Sequence, residues 1–114
     1  MPVIHVFHGD CAQAGATLAR MCTEVALTLE VPVNKVWGLW HPVSPAMVHR
    51  PDWDSASDRG PIVRVFCRRS HPRARVLALM QAVRTSLGGA LGCPPASVFV
   101  QVIRVDDEEV LNVT

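Results

Sequence analysis

Residues 2–7 read PVIHVF and residues 61–66 read PIVRVF: a proline followed by the same apolar strand pattern, 59 positions later (61 − 2). The match continues beyond the strand. At the same offset Leu18 falls on Leu77, Ala19 on Ala78 and Met21 on Met80. After a three-residue insertion, VPVNKVWGLW from Val31 lies over CPPASVFVQV from Cys93, an offset of 62 (93 − 31). Self-similarity over this much of a chain marks the duplication of one supersecondary unit.

The two units share one pattern. A short apolar, β-branched run predicts a strand near residues 2–8 and again near 61–67. A helix follows: Leu18, Met21, Cys22, Val25 and Leu29 share one face at helical spacing, as do Val76, Met80, Val83, Leu87 and Leu91. Ser70 and Pro72 suit the start of the second helix, and Gly88, Gly89 and Gly92 suit its end. Pro32, or Pro94-Pro95, then leads into a second strand, Val36–Trp40 or Val98–Val105. Strand–helix–strand units of this length have parallel strands and a right-handed crossover. Two copies predict an α+β fold, duplicated β-α-β units forming a four-stranded sheet with two helices on one face. One domain spans 1–114, with pseudo-repeats 2–40 and 61–105 and a connector 41–60. The other sheet face carries Val3, Phe7, Ile62 and Phe66, with Trp37 or Phe99 beside them. An exposed patch of that size is an association site, so a homo-oligomer packed through its sheets is expected.

Composition narrows the function. A chain with 49% hydrophobic residues is not disordered, and a net charge of +1 gives no field favouring nucleic acid or a membrane surface. No apolar run reaches the roughly 18 residues of a membrane span, and no basic-then-apolar leader opens the chain. Cys11, Cys22, Cys67 and Cys93 lie far apart without a CxxC pattern, which predicts reduced, mostly buried thiols and a cytoplasmic protein. His5 and His8 are three apart on a strand and so point to opposite faces, a poor metal pair; no metal and no cofactor are expected.

Two places remain that carry chemistry. A proline opening a strand is ordinary, because it sits where no ladder donor is needed, and that suffices for Pro61. Pro2 differs: removal of Met1, usual before a small second residue, would leave a free secondary amine at the head of a buried strand. An α-amino group titrates near ~8, and burial or nearby positive charge lowers it further. An amine poised near neutrality serves as general base in one step and general acid in the next. The second place is CRRSHPRARV, with Arg68, Arg69, Arg73, Arg75 and His71 between the third strand and second helix. The first unit has HGDCAQAGAT there, without an arginine. Arginine beside a helix start opposes the dipole unless an anion is present, and arginine grips carboxylates bidentately. Were the first and third strands parallel, this loop would lie at one end of the sheet. Whether that end is Pro2's depends on strand directions that the sequence leaves open.

An amino-terminal proline on a duplicated β-α-β unit, with arginines after the third strand, resembles the tautomerase superfamily. That family includes 4-oxalocrotonate tautomerase, macrophage migration inhibitory factor, malonate semialdehyde decarboxylase and cis-3-chloroacrylic acid dehalogenase. The resemblance implies a homotrimer with active sites near subunit boundaries and Pro2 as the catalytic base. It implies a small 2-oxo or 2-hydroxy-dienoic carboxylic acid as substrate, held by Arg69 and Arg73, then Arg68, or by His71. It makes Arg75 a surface residue and puts Gln101 at a position where relatives carry a polar or aromatic active-site residue. The chain also departs from the family. It has no Tyr, so the active-site tyrosine of several relatives is missing. The late carboxylate of water-adding relatives aligns on Asn112, with Asp106, Asp107, Glu108 and Glu109 close by. The decarboxylases' Asp is replaced by Asn34-Lys35. The tautomerase set is complete, while hydration, dehalogenation or decarboxylation of three-carbon acids is the enzymatic alternative. A non-catalytic ligand-binding module of ferredoxin-like topology is the other. At and within the connector, Trp40, His49 and Trp53 either line a pocket or pack over the sheet edge, the latter being favoured.

Overall fold

The computed structural model describes residues 1–53 and 58–111. In chain order it contains β1 (Val3–His8), α1 (Ala14–Leu29), β2 (Trp37–Pro42), β3 (Ile62–Arg68), α2 (Arg73–Leu91) and β4 (Phe99–Val105). A 3-10 turn precedes each second strand, Val33–Lys35 before β2 and Pro95–Ser97 before β4, so the offset of 62 between the units survives in the backbone. Among the described residues no helix is long and apolar enough to cross a membrane.

The sheet order is β2-β1-β3-β4. Within each unit the two strands are direct parallel neighbours, and β1 runs antiparallel to β3. The parallel arrangement of first and third strands considered above is thus incorrect. A connector of about twenty residues has the reach to bring the chain back in either direction, so local pattern did not fix it. The ferredoxin-like alternative is also excluded as a topology, because that order splits each β-α-β unit with an intervening strand.

The antiparallel seam makes the sequence repeat a two-fold axis. Val3 faces Phe66, Phe7 faces Ile62 and His5 faces Arg64. Shifting by 59 exchanges the first two pairs and maps His5–Arg64 onto itself. The axis therefore passes between His5 and Arg64, and Pro2 and Pro61 lie at opposite ends of the sheet. The carbonyls of both prolines accept equivalent bonds, from Trp37 N–H at 3.1 Å and from Phe99 N–H at 3.0 Å.

One face of the sheet is covered by helices. Ile4, Val6, Val63, Val65 and Cys67 are fully buried against Met21 and Val25 of α1 and Leu79, Val83 and Leu87 of α2. Leu79 takes the deep position on α2, with Met80 and Leu91 only partly buried. Close approach of α1 needs Gly38: a Cβ there would stand 3.1 Å from Cys22 Sγ and 3.2 Å from Leu18 Cδ2. The end of α1 is closed by Glu30 in the left-handed region (φ 57°), with Val31 N–H donating to Ala26 O. Arg75 completes this end. It donates to Leu29 O at 2.6 Å and pairs with Glu30 at 2.9 Å, a cation where the helix dipole favours one. α2 ends at Gly92 (φ 67°), while Gly88 and Gly89 remain helical. Its start has Pro72 at the cap position and no side-chain cap, so Ser70 does not serve as one. On the opposite face Trp37, Leu39 and Phe99 are exposed, with Val3, Phe7, Ile62 and Phe66 partly so. Cys22, Cys67 and Cys93 are buried free thiols and Cys11 is partly exposed.

Candidate active site

The antiparallel seam decides what surrounds the amino terminus. Extending the Val3–Phe66 pairing outward sets Pro2 beside Cys67 and Met1 beside Arg68. Pro2 is fully buried and Met1 half-buried. Beside Met1 is a cavity of about 320 Å³, lined by Val3, Asn34, Lys35, Trp37, Val110 and Leu111. The Trp37 indole N–H donates to Asn34 O at 3.1 Å, which fixes one wall. The amino group is held below its ordinary value by burial first, then by the positive charges of Arg68 and Lys35.

Arg68 ends β3 with its side chain only 22% exposed, and its Nη1 meets Asp107 Oδ1 at 2.9 Å. Arg69 begins the following turn with its side chain 64% exposed, paired through Nε to Asp106 Oδ1 at 2.6 Å. Its N–H donates to Val105 O at 2.9 Å, which ties the turn to β4. The two aspartates come from the segment after β4, whose 3-10 turn Asp107–Glu109 is followed directly by Val110 and Leu111 of the cavity wall. One stretch of chain therefore both walls the cavity and pairs with Arg68 and Arg69.

Behind the turn lies Arg104. Its Nη2 donates to Arg69 O at 2.7 Å and to His71 O, and its buried Nε has no partner among the described residues. Arg104 thereby fixes the backbone that presents Arg68 and Arg69. Burial pushes the neighbouring Cys67 thiol up, opposed by the charge of Arg104.

The structure thus gathers Pro2, Arg68 and, one residue further out, Arg69. Arg73, the first residue of α2, is exposed, and its side chain has no hydrogen bond or ion pair among the described residues. Gln101 lies opposite Arg64 near the two-fold axis, three residues along β4 from the row that holds Pro2, about 10 Å at the usual rise per residue. Neither is brought to the amino terminus within one chain. Asn112 lies outside the described residues. Sequence reasoning missed two residues. Lys35 was read, with Asn34, only as a substitution for an aspartate, although it ends the 3-10 turn that leads into β2, the strand paired with β1 beside Pro2. Arg104 had a readable signal: it shares strand parity with Val100 and Val102, which pack toward the core, and a charge on that face calls for dedicated partners.

No protein-family model matches the chain, and no curated protein matches its sequence. Solved structures do match it. A cis-3-chloroacrylic acid dehalogenase (cis-CaaD) family member, N1, superposes with a TM-score of 0.83 at 13% identity, covering 96% of this chain and 79% of that one. The F6 fused 4-OT, an asymmetric trimer, gives 0.80 at 15% identity, covering 93% and 88%. Malonate semialdehyde decarboxylase gives 0.76 at 16%, covering 100% and 91%. This chain has the tautomerase-superfamily fold. Likeness at such identities establishes the architecture alone. For a tautomerase-like fold the relevant local facts are the ones above: a buried proline just ahead of β1, a cationic turn after β3 next to it, and a cavity beside Met1.

Proposed function

We propose that Met1 is removed and that the Pro2 secondary amine is the general base and acid of a cofactor-independent tautomerase. The observation that carries this reading is the depressed amino terminus, flanked by Arg68 and Lys35 at the mouth of a cavity. With Met1 in place the Pro2 nitrogen is an amide and has no basicity. With Met1 removed, the amine lies one residue further in, at the buried Pro2 and close to the same two cations, and both causes act in the direction that favours the free base.

The substrate is a small 2-hydroxy-dienoic or 2-oxo acid. Its carboxylate lies against Arg68, with Arg69 as second anchor, and Trp37, Val3 and Val110 pack on the carbon chain. Pro2 takes the enol proton, or one from carbon beside the carbonyl. The negative charge that develops on oxygen lies near Arg68 and Lys35. The ammonium then returns the proton to the conjugated carbon, so nothing is gained or lost overall. Asp107 occupies the Arg68 guanidinium as a substrate carboxylate would, and it must give way for substrate to bind. Arg73 and Gln101 take part only across a subunit boundary. A homotrimer would place the apolar outer sheet face at subunit contacts; the F6 fused 4-OT is an asymmetric trimer. Hydration by the same site would need a carboxylate to activate water: Asp106 and Asp107 are engaged by arginine in the free protein, so that rival reading needs Asp107 after substrate displaces it, or Glu108 or Glu109.

Ketonisation of phenylenolpyruvate and 2-hydroxymuconate by Met1-free protein, beside Pro2→Ala, tests this proposal. A loss of at least about tenfold in kcat/KM, roughly 1.4 kcal/mol, assigns proton transfer to Pro2. No turnover of either compound by the wild type, with turnover of three-carbon unsaturated acids instead, would transfer the site to hydration or dehalogenation.

A further inference from the structure

The two-fold axis that relates the units also relates the Pro2 site to a second location, around Pro61 at the other end of the sheet. There the structure has a cavity of about 380 Å³, within the usual size range of small-ligand sites. Its walls include Phe7, Met47, Ile62 and Trp53, and Arg59 and Arg64 supply its charge. No aspartate or glutamate lines it among the described residues. His8 at its edge is held below its ordinary value by burial, so it presents a neutral ring at physiological pH.

This end differs from the first in chemistry. Pro61 follows Gly60, so its nitrogen is an amide and no base is present. Gly9 and Asp10 stand at the positions that Arg68 and Arg69 hold in the other unit (68 − 59 and 69 − 59). The Gly60–Pro61 junction is locked. A Cβ on Gly60 would lie 2.3 Å from Ser97 O, and Arg50 Nη1 donates to Gly60 O at 3.1 Å while forming a two-point pair with Asp52. Arg50 also stacks over Trp53 at 5.3 Å, and Arg59 lies over the same indole at 5.6 Å. Connector residues thus hold an aromatic wall and a guanidinium in place beside the sheet. One polar group is left over: the Trp53 indole nitrogen is buried without an acceptor among the described residues. A buried N–H without a partner is costly, and its resonance therefore reports on any change in the packing of this wall.

We propose that this cavity is a non-catalytic binding site for a small aromatic carboxylate. The ring packs among Phe7, Ile62, Met47 and Trp53, and the carboxylate faces Arg59 and Arg64. The site is independent of the chemistry assigned to Pro2.

The probe is phenylacetate, with phenylacetamide as its uncharged counterpart, added to the assembled, Met1-free protein. Equilibrium dialysis is expected to show binding that persists in Arg68→Gln, falls at least about tenfold in Arg59→Gln or Arg64→Gln, and is at least about tenfold weaker for phenylacetamide. In the same titration of wild type followed by NMR, the Trp53 indole N–H resonance shifts and that of Trp37 does not. This second readout stands even if a variant fails to fold. Binding abolished by Arg68→Gln alone, a shift confined to Trp37, or no binding because a neighbouring subunit fills the cavity would each overturn the proposal.

Discussion

In the proposed mechanism the side chain that sets the chemistry is Arg68, because there it acts on both base and substrate. It lowers the proton affinity of the amino terminus and is poised to hold a carboxylate. Arg68→Gln is therefore expected to raise KM for carboxylate substrates about tenfold or more, in line with loss of a charge-assisted bond. The same variant removes a charge that favours the free base, so the acid limb of the kcat/KM profile moves to higher pH. A profile that rises in KM without moving on the pH axis would separate Arg68 from Pro2. Asp107→Asn is expected to act in the opposite sense, lowering KM a few-fold by releasing Arg68. Asp106→Asn should change much less, since the Arg69 pair is solvent-exposed and worth roughly 0.2–1 kcal/mol. Pro2 and the arginine run drew attention in the sequence for different reasons: the proline is shared by both repeats and stands out only by following Met1, while the arginines occur in one repeat alone. Which arginine lies beside the amino terminus was not legible: that depends on the antiparallel seam, which sets Arg68 rather than Arg69 or Arg73 next to Met1.

At the scale of elements, the strands and helices were legible because each unit repeats its own pattern, and a shared error in both copies is improbable. The helix faces held apart from Leu79, a neighbour of Met80 on the same stripe, which packing rather than periodicity selected for the deep position. The direction of β3 was not legible, since the connector's length permits both. Arg75 shows a different limit: at residue level it reads as a surface cation, and only the packing of α2 on α1 makes it the cap of the other helix. Two glycines test this level of the structure by denaturant unfolding. Gly92→Ala is expected to cost about 1 kcal/mol, because its φ of 67° is unfavourable for alanine although nothing lies within 4 Å of the new Cβ. Gly60→Ala should cost more, because its Cβ would meet the Ser97 backbone at 2.3–2.5 Å, where no side chain can simply turn away. Equal costs would mean that the Gly60–Ser97 contact does not constrain the fold.

For the whole molecule, the outer sheet face and the amino terminus are the two surfaces through which fold becomes function. On that face His5 Nδ1 and His41 Nε2 are 2.8 Å apart, and Phe7 stacks on His41 at 4.4 Å between ring centres. Burial, with His41 as the second cause, lowers His5, and burial lowers His8. Histidines depressed in the folded state contribute stability that is complete above their unfolded value of about 6.5 and is lost as pH falls through the folded values. Melting temperatures should therefore be level from pH 7 to 8 and decline below about 6.5, with a shallower decline in His8→Gln; an unchanged slope would remove His8 from the cause. Phe66→Asp should shift the sedimentation coefficient from oligomer to monomer, and an unchanged oligomer would place the subunit contacts elsewhere. The most direct measurement of all is a ¹⁵N NMR titration of the Pro2 amine in [¹⁵N]proline-labelled, assembled protein whose intact mass shows Met1 removed. A midpoint below the ordinary α-amino value of about 8, moving upward in Arg68→Gln, is the expected result. A midpoint at or above 8 that Arg68→Gln leaves in place, or a mass that retains Met1, would contradict the assignment of Pro2 as the base.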